Sequence, residues 1–323
     1  AYLFAKIAIM EYLTSGITSA FDMYIYPKEV IQACVDCGFR IVQVSGLNNF
    51  TSSLEELEEQ YVTYNDYHEL CSSKLGFHAE YTTDKKLLEG LAGLSEKYHA
   101  PVYTHNSETK REVEECRQRY GKSPTQLFEE MGLYRYGGGG YHCIWFDDED
   151  IDIFAKRNLS VVTNPASNLK LASGIAPLKK MQEAGINLAI GTDGPASNNC
   201  LDMFREMFLV TGLAKLREHD AAVMDANDVL YMATTGGAKA MGLSDCDCLA
   251  VGKKADLFLM DLMQPNMQPE HNLTKNLVYS GSKQNVKLTM VNGKILYEDG
   301  QFFISEEPQE IYKKANEIVS RMK

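Results

Sequence analysis

The chain has 323 residues, of which 45% are hydrophobic and 24% charged. These values are typical of a globular protein with one large core and room for a small appended domain. The formal net charge of −12 argues against nucleic acid and anionic membrane surfaces as partners, because both would repel an acidic protein. A small molecule is the expected partner, and the composition is compatible with a homo-oligomer.

Eight cysteines occur without the regular spacing of a small disulfide-rich secreted domain, which favours reduced thiols in the cytoplasm. Cys34 and Cys37 have the spacing of a metal or redox pair, but no second pair follows at zinc-ribbon distance. We therefore expect unpaired thiols there and at Cys246 and Cys248. The sequence contains no run of 18 apolar residues, so it indicates no transmembrane helix.

Helices and strands alternate along the first 190 residues. A helical period opens the chain at Leu3, Ile7, Met10 and Leu13. Further helices are predicted over 27–37, 54–72, 85–98, 108–120 with 124–131, 148–156 and 177–184. Strands are predicted over 16–23, 39–45, 75–79, 102–105, 141–145, 159–163 and 187–192.

Strict alternation predicts parallel strands joined by right-handed crossovers. Seven strands, preceded by a helix that would normally follow a strand, predict an α/β fold: a (β/α)₈ TIM barrel whose first strand is missing from this chain. An open doubly wound sheet is the alternative, but no Gly-x-Gly-x-x-Gly turn follows any strand.

The pattern changes after the seventh strand. Helices are predicted over 201–218 and 226–241, strands over 254–261 and 286–297 with a hairpin turn at Asn292-Gly293, and a terminal helix over 308–322. We expect a hydrolase barrel over residues 1–245, and a small partial β-sandwich domain with a C-terminal helix over 246–323.

Three polar side chains lie on or next to predicted strand ends, where a barrel places its active site. Asp193 follows an apolar strand, in a tight turn marked by Gly191 and Gly194. His105 ends another strand, and His142 lies within a third. Two imidazoles and a carboxylate are typical of a metal site. The alternatives are a core histidine with satisfied hydrogen bonds and a carboxylate that caps its own turn.

Two further groups accompany them. Glu108 follows His105 by three residues, a position that suits a proton shuttle, and His78 ends another predicted strand, where it can bind substrate. Residues 164–171 offer amides and hydroxyls to a pocket, or form a turn with its own caps.

Four motifs in this order resemble the amidohydrolase superfamily. They are Thr104-His-Asn-Ser-Glu-Thr109, Tyr141-His-Cys143, Asn164-Pro-Ala-Ser-Asn168 and Gly191-Thr-Asp-Gly-Pro-Ala-Ser-Asn-Asn199. Within it the chain is most similar to the branch of 5′-methylthioadenosine/S-adenosylhomocysteine deaminases and of chlorohydrolase-like and cytosine deaminase-like enzymes. Gly252-Lys-Lys-Ala-Asp-Leu257 and Val291-Asn-Gly-Lys294 resemble the small β-domain of that branch.

The resemblance implies a metal-dependent hydrolytic deaminase of an aromatic N-heterocycle, either a purine nucleoside derivative or a free base. It assigns His105 and Asp193 as ligands of one divalent metal, most commonly Zn²⁺, with Fe²⁺ as the alternative. Asp193 would also accept a proton from water, His142 would orient that water, and Glu108 would protonate the ring. His78 and Ser197, together with Glu108, would contact the substrate.

Two departures from the family pattern bear on this expectation. The family has a His-x-His pair at the end of its first strand, and no two of the seven histidines here have that spacing. We expect a longer native reading frame to supply such a pair, about 60 to 80 residues upstream of Gly16 by the resemblance to a barrel with one more strand.

The second departure lies at Ser45 and residues 48–53, where methylthioadenosine-type members would carry arginines and this chain has none. Substrate identity therefore stays open. Hydrolysis of another leaving group from a triazine-like ring is one alternative. A non-catalytic barrel that binds a metabolite is the other, and it gains weight if the His-x-His pair is truly lacking.

Overall fold

Seven parallel strands form the larger sheet of the computed structural model, which describes residues 1–322. The strands follow one another in chain order across the sheet, with Ala20 opposite Ile41 and His105 opposite Tyr141. They are β1 (Ser19–Asp22), β2 (Arg40–Val44), β3 (Cys71–Phe77), β4 (Val102–Asn106), β5 (Gly138–His142), β6 (Ser160–Thr163) and β7 (Asn187–Ile190).

Helices separate these strands and continue to the end of the chain. They are α1 (Tyr2–Thr14), α2 (Pro27–Cys37), α3 (Leu54–Tyr67), α4 (Lys85–Tyr98), α5 (Lys110–Tyr120), α6 (Pro124–Glu130), α7 (Asp148–Lys156), α8 (Pro165–Lys170), α9 (Leu178–Glu183), α10 (Pro195–Asn198), α11 (Met203–Glu218), α12 (Ala226–Tyr231), α13 (Gly237–Met241), α14 (Leu273–Tyr279) and α15 (Pro308–Arg321). The alternation confirms the predicted barrel-type α/β fold.

Side chains inside the sheet form a core of their own. Val44, Tyr103, Tyr141, Val162 and Ala189, from five different strands, pack into one buried cluster. A flat sheet would spread these inward-facing residues apart, so their contact shows that the sheet curves around an interior. A larger cluster fills the space between the outer sheet face and the helices.

The boundary between α3 and β3 differs from its prediction. The helix ends at Tyr67 instead of 72, and the strand begins at Cys71 instead of 75. Asn65 bonds the backbone of Ser73 through both its amide oxygen (2.9 Å) and its amide nitrogen (3.2 Å), and Cys71 pairs with Ile41. Pairing with β2 therefore overrides the local helical pattern.

The fifth strand was also placed wrongly by the sequence. It spans Gly138–His142 instead of 141–145, because its glycines carry no side-chain pattern to mark a strand. A Cβ on Gly139 would lie 2.3 Å from the carbonyl oxygen of Ser160. The neighbouring strand therefore approaches so closely that only glycine fits there.

The second sheet is antiparallel and follows the barrel in the chain. Its strands, β8 (Leu257–Met260), β9 (Val286–Val291), β10 (Lys294–Glu298) and β11 (Gln301–Phe302), lie in the order β11-β10-β9-β8. Asn292 and Gly293 both have positive φ, 50° and 79°, which confirms the predicted tight hairpin turn. The helix predicted over 226–241 is interrupted by a π-helical segment at Met232–Gly236.

A buried ion pair joins the two sheets. Arg40, at the start of β2, donates from Nε and Nη2 to the two carboxylate oxygens of Asp256 at 2.8 and 3.0 Å. The Asp256 carboxylate also accepts the backbone N–H of Asn292 at 2.6 Å. Arg40 therefore stabilises the junction between the two sheets. The domain boundary between residues 245 and 246 stays a prediction. Residue 323, the last residue of the second predicted domain, lies outside the described residues.

All eight cysteines carry free thiols, as expected from their spacing. Cys34 and Cys37 are buried on α2, and burial raises the pKa of the Cys37 thiol to about 11. Within residues 1–322, no helix combines the length and the apolar character needed to cross a bilayer.

Candidate active site

The predicted site residues converge at the carboxyl ends of the parallel strands. His105 lies near the end of β4, His142 ends β5, and Asp193 follows β7 by three residues. The imidazole ring of His105 lies 5.5 Å from that of His142 and 5.1 Å from that of His78, between centroids. The histidines thus share one location, as a barrel active site requires.

Helix α8 ties Asp193 to this group. Ser167 Oγ donates to Asp193 Oδ2 at 2.6 Å, and the next residue, Asn168, lies 2.7 Å from His142 Nδ1 through its Oδ1 atom. The side chains of Ser167 and Asn168 are both buried. The predicted turn over 164–171 is therefore a short helix whose polar side chains fix two of the site residues.

Hydrogen bonding sets the tautomer of His105. Its Nδ1 lies 2.8 Å from the carbonyl oxygen of His78, and because a carbonyl can only accept, Nδ1 must carry the proton. Burial lowers the His105 pKa to about 3, further lowered by His142 and His78 and partly opposed by Asp193. Neutral His105 therefore has a free lone pair on Nε2, which is how ligating histidines are commonly prepared for a metal.

His142 is prepared in the same way. The carbonyl oxygen of the Asn168 amide accepts from Nδ1, which leaves Nε2 free to face the site. That atom lies 3.8 Å from Glu108 Oε2, while the other carboxylate oxygen of Glu108 accepts from Ser173 Oγ at 3.0 Å. One oxygen of Glu108 is thus anchored and the other points toward His142.

The backbone at the site adopts left-handed conformations that non-glycine residues rarely take. Positive φ values occur at Ser107 (50°), His142 (68°), Cys143 (50°) and Asp193 (58°). Such strain persists only where the surrounding structure enforces it, and it concentrates at functional sites. At Asp193 it lets the Oδ1 atom accept the backbone N–H of Gly194 at 2.6 Å.

Two buried carboxyl groups brace these strained turns. Glu112 accepts the backbone N–H groups of Ser107 and Glu108 at 3.0 and 2.8 Å. Glu206 accepts from Ala166 N at 3.0 Å and from Asn198 Nδ2 at 2.8 Å. Burial raises the pKa of each carboxyl group to about 7, although the hydrogen bonds oppose that shift.

His78 completes the group at the strand ends. Its Nδ1 lies 2.9 Å from Thr82 Oγ1, and burial lowers its pKa despite the opposing charge of Glu108. Ser197 lies in α10, one turn beyond Asp193. The substrate contacts expected of these two residues stay predictions.

His105 Nε2 and Asp193 are donors of the kind that Zn²⁺ and Fe²⁺ accept. Within residues 1–322, however, no three His, Cys, Asp or Glu side chains cluster closely enough to hold a metal by themselves. A catalytic zinc ion usually has three or more protein ligands. The chemistry of the two donors fits a metal, and the set needs additional donors to complete it.

Residues 1–296 match the model of the amidohydrolase family. The chain belongs to the amidohydrolase family. A 5-methylthioadenosine/S-adenosylhomocysteine deaminase of Thermoanaerobacter pseudethanolicus is 35% identical, over 99% of this chain and 77% of that protein. A 5′-deoxyadenosine deaminase of Methanothermobacter thermautotrophicus is 36% identical, over 95% of this chain and 73% of that protein. The expected enzyme class, an amidohydrolase that acts on C–N bonds other than peptide bonds, is confirmed.

Solved structures agree with the fold. A zinc-bound adenosine deaminase from Xanthomonas campestris superposes with a TM-score of 0.93 at 32% identity, covering 99% of this chain and 74% of that one. A zinc-bound atrazine chlorohydrolase from Arthrobacter aurescens gives a TM-score of 0.89 at 21% identity, covering 98% and 76%. At that lower identity the second likeness supports the fold alone.

Several residues of the site had no assigned role in the sequence. Ser167 and Asn168 lay in a recognised motif, although nothing in it indicated which side chains they would hold. Ser173 carried no signal, because it reaches Glu108 across 65 positions of the chain.

Proposed function

We propose that this amidohydrolase removes the amino group of an adenosine-type nucleoside by hydrolysis, with release of ammonia. The observation that carries the proposal is the pairing of Glu108 with His142 (3.8 Å) beside His105, in a chain about one-third identical to purine nucleoside deaminases. Eight free thiols support the further proposal of a cytoplasmic location.

The proposed chemistry begins with water activation. A divalent ion, Zn²⁺ with Fe²⁺ as the alternative, would be held by His105 Nε2 and Asp193 together with other donors, and it would supply the Lewis acidity that makes water nucleophilic at neutral pH. Asp193 accepts the proton that the attacking water loses. Its oxygens retain lone pairs for this role, because each accepts only one hydrogen bond within the chain.

Glu108 carries the second proton transfer. Its Oε2 atom faces the site, so a proton there can pass to the ring nitrogen next to the carbon under attack. The water oxygen bonds to that carbon while one water proton passes to Asp193 and the ring nitrogen takes the proton from Glu108. The C–N bond then breaks, the amino group leaves as ammonia with the proton from Asp193, the remaining hydroxyl proton returns to Glu108, and the ring nitrogen keeps its proton. His142 Nε2 lies 3.8 Å from the Glu108 carboxylate, where it can orient water and stabilise the charge that develops on oxygen.

The test is an ammonia-release assay on the purified protein supplied with Zn²⁺. Adenosine, 5′-methylthioadenosine, 5′-deoxyadenosine and S-adenosylhomocysteine are compared with guanine, cytosine and atrazine, the last followed by chloride release. We expect ammonia from the adenosine nucleosides. Turnover of atrazine or of the free bases alone would contradict the proposal.

A matched pair of variants separates chemistry from folding. Glu108→Gln keeps the shape of the side chain and removes its transferable proton, so we expect a loss of roughly 10²- to 10⁴-fold in kcat. Glu114→Gln makes the same change on α5, where Glu114 pairs with Lys110 at 3.5 Å on the surface, and it should leave kcat within about twofold. Equal effects of the two changes would remove Glu108 from the mechanism.

A further inference from the structure

Large apolar side chains stand exposed in the loops that follow β1, β2 and β3. Phe50 is 78% exposed and Tyr81 is 53% exposed, and Tyr24 and Tyr26 are each about half exposed. We name these four residues the aromatic wall. Exposed apolar side chains that gather on neighbouring loops commonly mark a binding surface.

The wall rests on ordered loops. The loop after β2 is tied to the loop after β3 by four hydrogen bonds. Three are 2.9 Å long, His78 N to Leu47 O, Asn49 N to Thr82 O and Asp84 N to Asn49 Oδ1, and Thr83 Oγ1 donates to Leu47 O at 3.2 Å. The Asn48 side chain closes the turn that carries Phe50, because its Oδ1 accepts the backbone N–H of Phe50 at 2.9 Å. Phe50 is thus held out toward solvent by a hydrogen-bonded turn.

One member of the wall, Tyr81, lies next to the reacting groups. The ring of Tyr81 lies 6.1 Å from that of His78, and His78 lies 5.1 Å from His105. Tyr24 and Tyr26 contact each other edge to face, with centroids 5.7 Å apart. A molecule whose reactive end reaches His105 would therefore extend past Tyr81.

The segments that carry the aromatic wall contain no lysine or arginine, and the nearest lysines in the sequence, Lys28 and Lys85, lie in the first turns of α2 and α4. Residues 23–26 and 45–53 contain no charged side chain. In residues 78–83 the acidic side chain of Glu80 is buried and paired with Arg119. A carboxylate that approaches these segments finds no side-chain cation to pair with, whereas an apolar group gains contact with the exposed rings.

The shape of the nucleoside connects these observations. Its amino-bearing carbon must reach Glu108 at the strand ends, and the 5′ carbon lies at the opposite end of the molecule, toward the loops. We propose that the aromatic wall binds the 5′ substituent and that the enzyme prefers nucleosides whose 5′ group is uncharged and apolar, such as methylthio or deoxy, over those with an amino-acid tail. This inference rests on the proposed deaminase function and specifies its substrate.

The first test compares kcat/KM for ammonia release among three nucleosides. We expect 5′-methylthioadenosine and 5′-deoxyadenosine to exceed S-adenosylhomocysteine by roughly 100-fold, because the charged tail is left unpaired. An equal or higher value for S-adenosylhomocysteine would overturn the inference and leave the deaminase function intact. Absence of ammonia from every nucleoside would defeat the proposed function, and the inference with it.

The second test removes the wall. Phe50→Ala and Tyr81→Ala should each lower kcat/KM for 5′-methylthioadenosine about tenfold, because apolar contact with the methylthio group is lost, while kcat/KM for adenosine changes by less than about threefold. Phe303→Ala, which truncates an exposed aromatic beyond the second sheet, is the control. Equal losses for both substrates would assign these rings a structural role and refute the inference.

Binding can be followed independently of turnover. Trp145 is the one tryptophan of the chain, and its indole N–H donates to the carbonyl oxygen of Ser173, the residue that holds Glu108. Titration of its fluorescence should give tighter binding of 5′-methylthioadenosine than of S-adenosylhomocysteine, and Phe50→Ala should remove most of the difference. Equal affinities in the unaltered protein would contradict a wall selective for apolar groups.

Discussion

Ser173 offers a sharp test of how the site positions Glu108, the proposed proton shuttle. Ser173→Ala removes the hydroxyl that donates to Glu108 Oε1 at 3.0 Å and leaves the backbone in place, including the carbonyl that accepts from Trp145. A hydrogen bond to a charged group contributes about 1.5–3 kcal/mol. The Glu108 side chain is 18% exposed, so water compensates in part, and we expect about 1.5 kcal/mol, which is a loss of about tenfold in kcat/KM.

The assay is a double-mutant cycle on ammonia release from 5′-methylthioadenosine. If Ser173 acts only by orienting Glu108, Ser173→Ala should have almost no further effect in a Glu108→Gln background, because no shuttle remains to be oriented. Ser173→Thr retains the hydroxyl and should recover much of the activity. The reasoning is refuted if Ser173→Ala costs the same factor in both backgrounds, since additive losses would mean that the two residues act separately.

Three further predictions follow from the geometry. Asp193→Asn should lower kcat roughly 100-fold or more and reduce bound metal, measured by ammonia release and elemental analysis; ammonia release that survives the change would show that its role is misassigned. Arg40→Met should lower the free energy of unfolding by about 3–5 kcal/mol in urea titrations, because it leaves the buried Asp256 carboxylate without its partner. Adding Asp256→Leu should restore much of that free energy. An unchanged urea midpoint for the single variant would argue against the pair as a junction between the sheets. The pKa of Glu206 rises to about 7 in the fold from its usual 4.5, so the native state binds more protons than the unfolded chain between those values, and the free energy of unfolding should fall as pH rises from about 5 to about 8. Glu206→Gln should flatten that slope in urea titrations, and an identical slope in the variant would exclude Glu206 as its source.

The sequence predicted most of the barrel. Apolar strands alternating with amphipathic helices can be recognised from local periodicity, because each element must bury one face whatever its neighbours are. The Asn292-Gly293 turn was equally local, since both residues tolerate the positive φ values that the hairpin needs. His105 and His142 were located because a histidine on or near a strand end stands out against an apolar background.

Tertiary structure decided where elements begin and which side chains meet. Cys71 became part of a strand through pairing with β2, and Gly138–His142 formed a strand because its neighbours leave space for hydrogen instead of a side chain. Neither strand boundary can be predicted from the local sequence, because strand pairing depends on partners that are distant in the chain.

The same holds for the supports of the site. Ser173 reaches Glu108 across 65 positions and Arg40 reaches Asp256 across 216, distances over which the sequence carries no pattern. The chain by itself determined which residues can do chemistry, because their identities and their places on strands are local properties. Only the folded barrel decided how those residues are held, because the hydrogen bonds that orient them come from loops that meet solely when the strands close side by side.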